Sequence, residues 1–239
     1  MNFRLNNLYQ RNMNLDLTNI LTIVFEQEIG TKEIPLLRGA IIHALDNKLL
    51  LFHNHEENNK YRYSYPLIQY KRIHKKASIV CINQGTEDVG ELFSSRLSHL
   101  QLGENGMDIK IEKIIPQRYR IQIWEQMFNY YISKWLPLNS RNYKKYLEIE
   151  GLSDKVHFLE HILKGNILSF AKGIGIRFDK DIELVITDIS DPFVVLVKGT
   201  KMHCINAHFK CNVSLPNYIG LGKHVSINYG IVTKKEHIK

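Results

Sequence analysis

The spacing of apolar residues along the first half of the chain predicts strands that alternate with helices. Residues 17–25 form a run rich in β-branched side chains, which predicts a buried strand that ends at the turn signal Gly30-Thr31. Pro35 suits the first turn of a helix, and apolar residues then recur at intervals of three and four as far as Leu45. A strand followed by an amphipathic helix is therefore expected at the start of the chain.

Four further strand-like stretches and a second helix are predicted between residues 48 and 115. Residues 48–53 and 61–73 have an extended pattern, and residues 77–82 predict another buried strand. Residues 89–100 predict a second amphipathic helix, and residues 107–115 predict a closing strand. This order is typical of a ferredoxin-like unit, in which two helices cover one face of an antiparallel sheet. We expect the opposite face to be free for a ligand.

The second half, after a boundary near Pro116, also mixes strands with a long helix. A strand is predicted at residues 119–124, and a helix is predicted from an N-cap at Ser153 to Gly173. Further extended stretches are residues 183–189, 193–197, 203–213 and 226–232. The second half is therefore α+β as well.

Charge and cysteine content narrow the classes of partner. The chain has 32 Lys and Arg against 24 Asp and Glu, a formal net charge of +8 that favours phosphate-rich partners. Its three cysteines are an odd number without a CxxC pair, so we expect buried thiols in a reducing compartment. No apolar run approaches the ~20 residues that cross a bilayer, which predicts a cytoplasmic protein without a membrane partner.

The sharpest chemical feature is the pair His53 and His55, which follows an extended stretch. Residues two apart on extended backbone point to the same side, so both imidazoles would project together, as would Tyr61, Tyr63 and Tyr65. Metal-free RNA cleavage needs a base for the ribose 2′-OH and an acid for the leaving 5′-oxygen. Histidine suits both roles because its pKa is about 6.5, and a tyrosine can orient the phosphate.

Other interpretations of the two histidines stay open at this point. A metal site would need a third ligand from His43, Glu56 or Glu57. The three letters H-N-H do not make a homing-nuclease motif, whose residues are dispersed over a larger unit. The histidines would otherwise be exposed residues at the end of a loop, with the tyrosines as ordinary strand residues.

Two further segments carry features of phosphate binding. Residues 71–76 place four cations at a turn between strands, next to aromatic residues that can stack on bases; these are Lys71, Arg72, Lys75 and Lys76. Residues 220–230 form a glycine-rich loop, in which Gly220 and Gly222 would let backbone N–H groups approach phosphate beside Lys223 and His224. A β-hairpin turn without function is the alternative for this loop.

These segments resemble the CRISPR-associated pre-crRNA-processing endoribonucleases, in particular the branch that serves type I-B systems. The resemblance rests on LRGA at 37–40, LFHNH at 51–55, YSYPLIQYK at 63–71, LSFAKGIG at 168–175 and the loop at 220–230. It implies an α+β protein with two tandem ferredoxin-like (RRM-like) domains, each with an antiparallel sheet, at residues 1–116 and 117–239. It also implies that the glycine-rich loop helps to grip RNA.

The resemblance further implies an activity and a set of catalytic residues. Members of the family cut within each CRISPR repeat without a metal or other cofactor and leave a 2′,3′-cyclic phosphate and a 5′-hydroxyl. The paired histidines of the branch fall on His53 and His55, and the catalytic tyrosine falls on Tyr63, with Tyr61 and Tyr65 as alternatives. The expected partners are repeat RNA, other subunits of a type I interference complex and a second copy of the chain. A non-catalytic RNA-binding subunit is the alternative function.

Overall fold

The computed structural model describes residues 17–44, 65–90 and 99–235, and these form two larger antiparallel sheets, a two-stranded hairpin and helices that pack against the sheets. The first part contains β1 (Leu17–Glu28), α1 (Ile34–Ala44), β2 (Ile68–Ile73), β3 (Lys76–Ile82), α2 (Gln84–Asp88), β4 (His99–Leu102), β5 (Asn105–Asp108) and β6 (Ile111–Arg120). The second part contains β7 (Ile123–Trp135), α3 (Ser140–Glu148), α4 (Leu152–Gly173), β8 (Leu184–Ile189), β9 (Phe193–Val197), β10 (Thr200–Val213) and β11 (Ile231–Lys234).

The first sheet has the strand order β2-β3-β1-β6, and every neighbouring pair is antiparallel. Alternate residues of β1, among them Ile23 and Phe25, share a buried cluster with Leu37 and Ile41 of α1. The apolar spacing of α1 therefore buries one helix face on one sheet face. This is the ferredoxin-like arrangement that the sequence predicts, and Pro35 lies in the first turn of α1 as expected.

A hairpin replaces part of the second predicted helix. Residues 84–88 form the short helix α2, but residues 99–102 form β4, which pairs with β5. The prediction of helix as far as Leu100 is therefore wrong. Leu100 and Leu102 are buried while His99 and Gln101 are exposed, which is the period of two that belongs to a strand. Gly103, at a φ of 64°, makes the turn.

The second sheet repeats the same topology with the order β11-β7-β10-β8, and β9 pairs with the first part of β10. The apolar face of α4, including Leu159, Leu163 and Ile167, packs on this sheet. Helix α4 begins after Gly151 rather than at the predicted cap Ser153, and it ends at Gly173 as predicted. A second crossover helix is absent from the described residues of this part, because residues 214–230 run as irregular chain between β10 and β11.

The junction between the two sheets lies between Arg120, the last residue of β6, and Ile123, the first residue of β7. Pro116 is inside β6, opposite Leu21, and β6 continues to Arg120. Tyr119 pairs with Thr18 and so belongs to the first sheet, not to the second series of elements as predicted. The fold class is α+β with two tandem ferredoxin-like units and antiparallel sheets, as the sequence predicts.

The face of the first sheet opposite α1 is covered at β2 and β3, contrary to the expectation that the whole face is free for a ligand. Gln69, Lys71, Ser78 and Val80 on this face are all fully buried. Tyr218 packs against Val80 and its neighbours from the second part of the chain. This part of the sheet face therefore forms part of the contact between the two units, whereas the residues of β6 are exposed except for the partly buried Tyr119.

Two smaller expectations concern cysteines and membranes. Cys81, Cys204 and Cys211 are buried free thiols in the cores, which confirms their expected role as packing residues. Among the described residues, none of the helices has the length and apolar character needed to cross a bilayer.

Candidate RNA-binding site

Most of the residues predicted to carry catalysis lie outside the described residues. These are His53, His55, Tyr61 and Tyr63, so their roles stay predictions. Tyr65 is described, and it lies where the two units meet, with its ring 5.0 Å from the ring of Phe170. The glycine-rich loop is described in full, so the site can be built from Tyr65 and β2 towards that loop.

Tyr65 and Gln69 hold the peptide groups of Gly220 from two sides. The Tyr65 hydroxyl donates to the Gly220 carbonyl oxygen (2.8 Å), and the Gly220 N–H donates to Gln69 Oε1 (3.0 Å). Gln69 Nε2 donates in turn to the Tyr65 hydroxyl (2.8 Å). Burial raises the pKa of Tyr65, and its bonds to Gln69 and Gly220 offset only part of that rise. In this structure the phenol of Tyr65 anchors the loop.

The loop runs along the edge of the first sheet like an added strand. Strand β2 is the edge of that sheet, and the N–H of Tyr70 donates to the carbonyl oxygen of Ser226 (2.9 Å). Tyr70 and Ile227 form a parallel bridge. Lys71 Nζ donates to the Val225 carbonyl oxygen (2.9 Å) from a fully buried side chain. The exposed edge that β2 would otherwise present is therefore covered by the loop.

Asn228 completes this contact. Its φ is 71°, a left-handed conformation that asparagine tolerates better than most residues, and its side chain is buried. Asn228 Oδ1 accepts a hydrogen bond from the backbone N–H of Arg72 (2.9 Å). The asparagine thus satisfies an edge N–H of β2 that a glycine at this position would leave without that partner.

Two glycines give the loop its close packing. Gly230 has a φ of 60°, and a Cβ there would overlap the carbonyl oxygen of Leu221. Gly222 has a φ of 96°, and a Cβ there would lie 3.0 Å from the indole of Trp135. The loop can take this path only with glycine at both positions.

The structure corrects two of the predicted RNA contacts and leaves others open. Lys71 has no exposed surface, and burial lowers its pKa to about 7, so it is a structural amine and not one of the solvent-facing cations expected of residues 71–76. The N–H of Gly220 is bonded to Gln69 and is not directed at a ligand. Both corrections have one cause, because the loop docks on β2 and uses these groups internally.

The remaining predicted cations have different surroundings. Arg72 is half-buried, and its Nε donates to the carbonyl oxygen of Ile29 (2.5 Å). Lys75 is exposed in the turn between β2 and β3, at a φ of 69°. Lys76 is ion-paired with the carboxylate of Glu112, whose pKa this bond lowers. Their contacts with RNA stay predictions.

Lys223 and His224 belong to a group of basic residues around the loop that we call the basic rim. Its members are Arg72, Lys134, Lys198, Lys223 and His224. Burial lowers the pKa of His224, and the charges of Lys198 and Lys223 lower it further. Burial lowers the pKa of Lys134 too, with Cys204 opposing and Arg72 adding to the effect. These shifts indicate a positive potential around the loop, which a bound anion would offset.

Backbone donors lie within the same rim. In the described part of the chain, no acceptor is found for the N–H groups of Gly222, Lys223 and His224. His224 has a φ of 54°, so positive φ values recur at Gly222 and His224. Consecutive N–H groups in such a turn form a concave anion site. The prediction that the loop binds phosphate therefore applies to the N–H groups of residues 222–224.

Lys134 and Lys198 were not identified from the sequence. Lys134 lies near the end of β7, and Lys198 lies in the turn between β9 and β10, each apart from other members of the rim in sequence. Both have positive φ values, 49° and 48°. A Lys-Gly pair at 198–199 indicates a turn, but no local pattern indicates that the turn meets the glycine-rich loop.

Comparison with known proteins agrees with this architecture. The family model described as "Cas6b N-terminal domain" matches residues 16–120, and that described as "Cas6b C-terminal domain" matches residues 122–235. A Methanocaldococcus jannaschii protein with the name "Uncharacterized protein MJ0978" is 37% identical over 113 residues, 47% of this chain and 76% of that protein.

Solved structures show the same fold. One described as "Crystal structure of Cas6b" superposes with a TM-score of 0.82 at 23% identity, covering 91% of this chain and 100% of that chain. Another, described as "Crystal structure of CRISPR RNA processing endoribonuclease Cas6b", has a TM-score of 0.71 at 22% identity, covering 92% and 100%. Since the two family models together match nearly all of the described residues, the chain belongs to the Cas6b family.

Proposed function

We propose that the chain binds the repeat RNA of a CRISPR array and cuts it once within each repeat, without a metal. Membership of the Cas6b family supports endoribonuclease activity on CRISPR RNA. The observation that carries the proposal is the basic rim, because it places three backbone N–H groups that have no acceptor among the described residues beside several cations, at a loop that is locked to β2. Such a surface suits the phosphates of an RNA strand.

The proposed chemistry assigns roles to His53, His55 and Tyr63. One imidazole takes the proton of the ribose 2′-OH, and the 2′-oxygen attacks the adjacent phosphorus. The other imidazole protonates the leaving 5′-oxygen, and Tyr63 orients the phosphate. The products are a 2′,3′-cyclic phosphate and a 5′-hydroxyl. The contacts of Tyr65 support the assignment of the catalytic role to another tyrosine, because the Tyr65 hydroxyl is already hydrogen-bonded to Gly220 and Gln69.

The loop contributes to substrate binding in this proposal. Phosphates near the cut would lie against Lys223 and the N–H groups of residues 222–224, and Lys198 would face the strand from the neighbouring turn. These contacts give affinity and register but carry no base specificity. Other subunits of a type I complex, and a second copy of the chain, remain proposed partners.

The deciding experiment is a cleavage assay on the cognate repeat RNA in the presence of EDTA. The full-length protein should give one discrete cut with a 2′,3′-cyclic phosphate on the upstream product. A His53→Ala/His55→Ala variant should bind the same RNA with unchanged affinity and leave it intact. A protein that cuts only after divalent metal is added would overturn the proposed mechanism.

The matched control for the catalytic pair uses histidines elsewhere in the chain. His157 and His161 lie on α4, and a His157→Ala/His161→Ala variant removes the same number of imidazoles. Its cleavage rate should equal that of the wild type. Tight binding without any product from the wild-type protein would instead support a non-catalytic RNA-binding subunit.

A further inference from the structure

A second candidate site is a groove of about 530 Å³ between α1 and the hairpin of β4 and β5. Leu36 and Gly39 of α1 line one side, and His99 and Gln101 of β4 line the other. His43, in the last turn of α1, also lines the groove. The volume falls in the ~300–1,000 Å³ range of small-ligand sites, and a mostly apolar lining with a few polar groups is typical of them.

The imidazole of His99 at this groove is hydrogen-bonded to a carboxylate on the same hairpin. Its Nδ1 lies 2.7 Å from Asp108 Oδ1, so the carboxylate accepts the proton on Nδ1 and sets the tautomer of the ring. The ring occupies the space that a side chain at residue 106 would need, because a Cβ on Gly106 would lie 2.6 Å from His99 Nε2. On the hairpin, the His99 ring therefore packs over Gly106 and forms a hydrogen bond with Asp108.

Gly39 makes the helix side of the groove shallow. Pro35, Gly39 and His43 are spaced by four residues, so they lie along one face of α1. A Cβ on Gly39 would meet no atom of the described residues within 4 Å. The groove therefore has open space directly above the helix backbone, and a flat group can approach there more closely than above any other residue type.

We infer that this groove binds one nucleobase of the repeat RNA, a role that rests on the proposed function. A planar base suits a shallow apolar floor, and the imidazole of His99 offers a stacking surface. Gln101 Nε2 donates to the Gly103 carbonyl oxygen (3.0 Å), which orients the amide and leaves Oε1 as an acceptor for a base edge. The groove is a specificity site, in contrast to the phosphate contacts of the basic rim.

The test uses a substitution that fills the groove without disturbing the helix. Gly39→Leu places a side chain in the open space, and leucine favours a helix more than glycine does. Gly165→Leu in α4 is the matched control, because Gly165 is an exposed helical glycine whose Cβ would also meet nothing within 4 Å. Circular dichroism and urea unfolding should show both variants to be folded.

Binding is measured with cognate repeat RNA in a His53→Ala/His55→Ala background, so that the RNA stays intact. Gly39→Leu should weaken binding about tenfold, the loss expected for one stacked base, and Gly165→Leu should bind as the wild type does. A series of RNAs with one abasic position each then identifies the nucleotide. Removal of that base should weaken binding to the wild type about tenfold and have no further effect on Gly39→Leu.

The outcomes separate this inference from the proposed catalysis. If Gly39→Leu binds and cuts the RNA as the wild type does, the groove binds no base, whatever the wild-type cleavage assay shows. Abasic effects that are equal in wild type and Gly39→Leu at every position would overturn it as well. His99→Ala should reproduce the selective loss at the same nucleotide, which a general loss of folding would not do.

Discussion

Lys71 Nζ donates a hydrogen bond to the carbonyl oxygen of Val225 at 2.9 Å, and the lysine side chain is fully buried. The bond joins β2 of the first sheet to the glycine-rich loop of the second unit. A buried amine is costly to charge, and burial lowers the pKa of Lys71 to about 7. The attachment of the loop therefore involves a group that changes its charge near neutral pH.

The first prediction concerns stability and pH. The unfolded chain keeps the ordinary lysine pKa of about 10.4, so between pH 7 and that value the unfolded state binds one more proton than the folded state. The free energy of unfolding should therefore rise with pH in this window and level off below pH 7. Relative to Lys71→Met, the wild type should gain roughly 2 kcal/mol between pH 7 and pH 9. Urea unfolding at several pH values measures this difference.

The control for that prediction is Lys210→Met, which removes an exposed lysine of β10. Its free energy of unfolding should follow the wild type at each pH. A constant difference between wild type and Lys71→Met from pH 7 to pH 9 would mean that folded Lys71 keeps its proton throughout that range, so that burial does not lower its pKa.

The topology could be predicted from the sequence because each strand or helix is marked by local periodicity. Ile23, Phe25, Leu37 and Ile41 recur at the periods of a strand and a helix, and both elements form where predicted. Leu100 shows the limit of such patterns. Apolar residues before it have helical spacing, but residues 99–102 alternate in burial, and four residues are too few for the two periods to be told apart by sequence.

The site was less predictable because it depends on contacts between residues far apart in the chain. Lys71 lies in a run of cations and was expected to face solvent, but Val225 lies 154 residues away and its docking buries the amine. Lys198 and Lys223 lie in different connections of the second unit, and both act electrostatically on His224 only because the fold brings those connections together. Local charge patterns indicate which residues carry charge, while the fold decides which of them stay exposed.

The second prediction tests the role of Asn228 at the edge of β2. Asn228→Gly keeps the left-handed backbone but removes the acceptor for the Arg72 N–H, which should cost about 1 to 2 kcal/mol of stability. Asn228→Ala also removes the acceptor and adds about 1 kcal/mol of backbone strain at a positive φ. Urea unfolding should therefore rank the proteins as wild type, then glycine, then alanine. A glycine variant as stable as the wild type would show that the side-chain bond contributes nothing.

The third prediction separates steric overlap from backbone strain in the loop. Gly230→Ala would place a Cβ against the Leu221 carbonyl oxygen at a φ of 60°, so both effects act. Gly199→Ala has a φ of 80° and meets nothing within 4 Å, so only strain acts, at about 1 to 2 kcal/mol. Gly230→Ala should lose at least about 1 kcal/mol more in urea unfolding and bind repeat RNA more weakly. Equal losses for the two variants would mean that the loop moves to accommodate the methyl group.

The fourth prediction concerns the electrostatic part of RNA binding at the basic rim. Each phosphate contact to single-stranded RNA adds about 0.7 to the slope of log affinity against log salt, because counterions are released. A Lys198→Ala/Lys223→Ala variant should therefore lower the magnitude of the slope by up to about 1.4. Lys180→Ala, which removes an exposed lysine outside the rim, should leave the slope unchanged. Binding titrations from low to high salt measure all three slopes. If the double variant and the wild type have the same slope while their affinities differ, the two lysines act by shaping the loop and not by contacting phosphate.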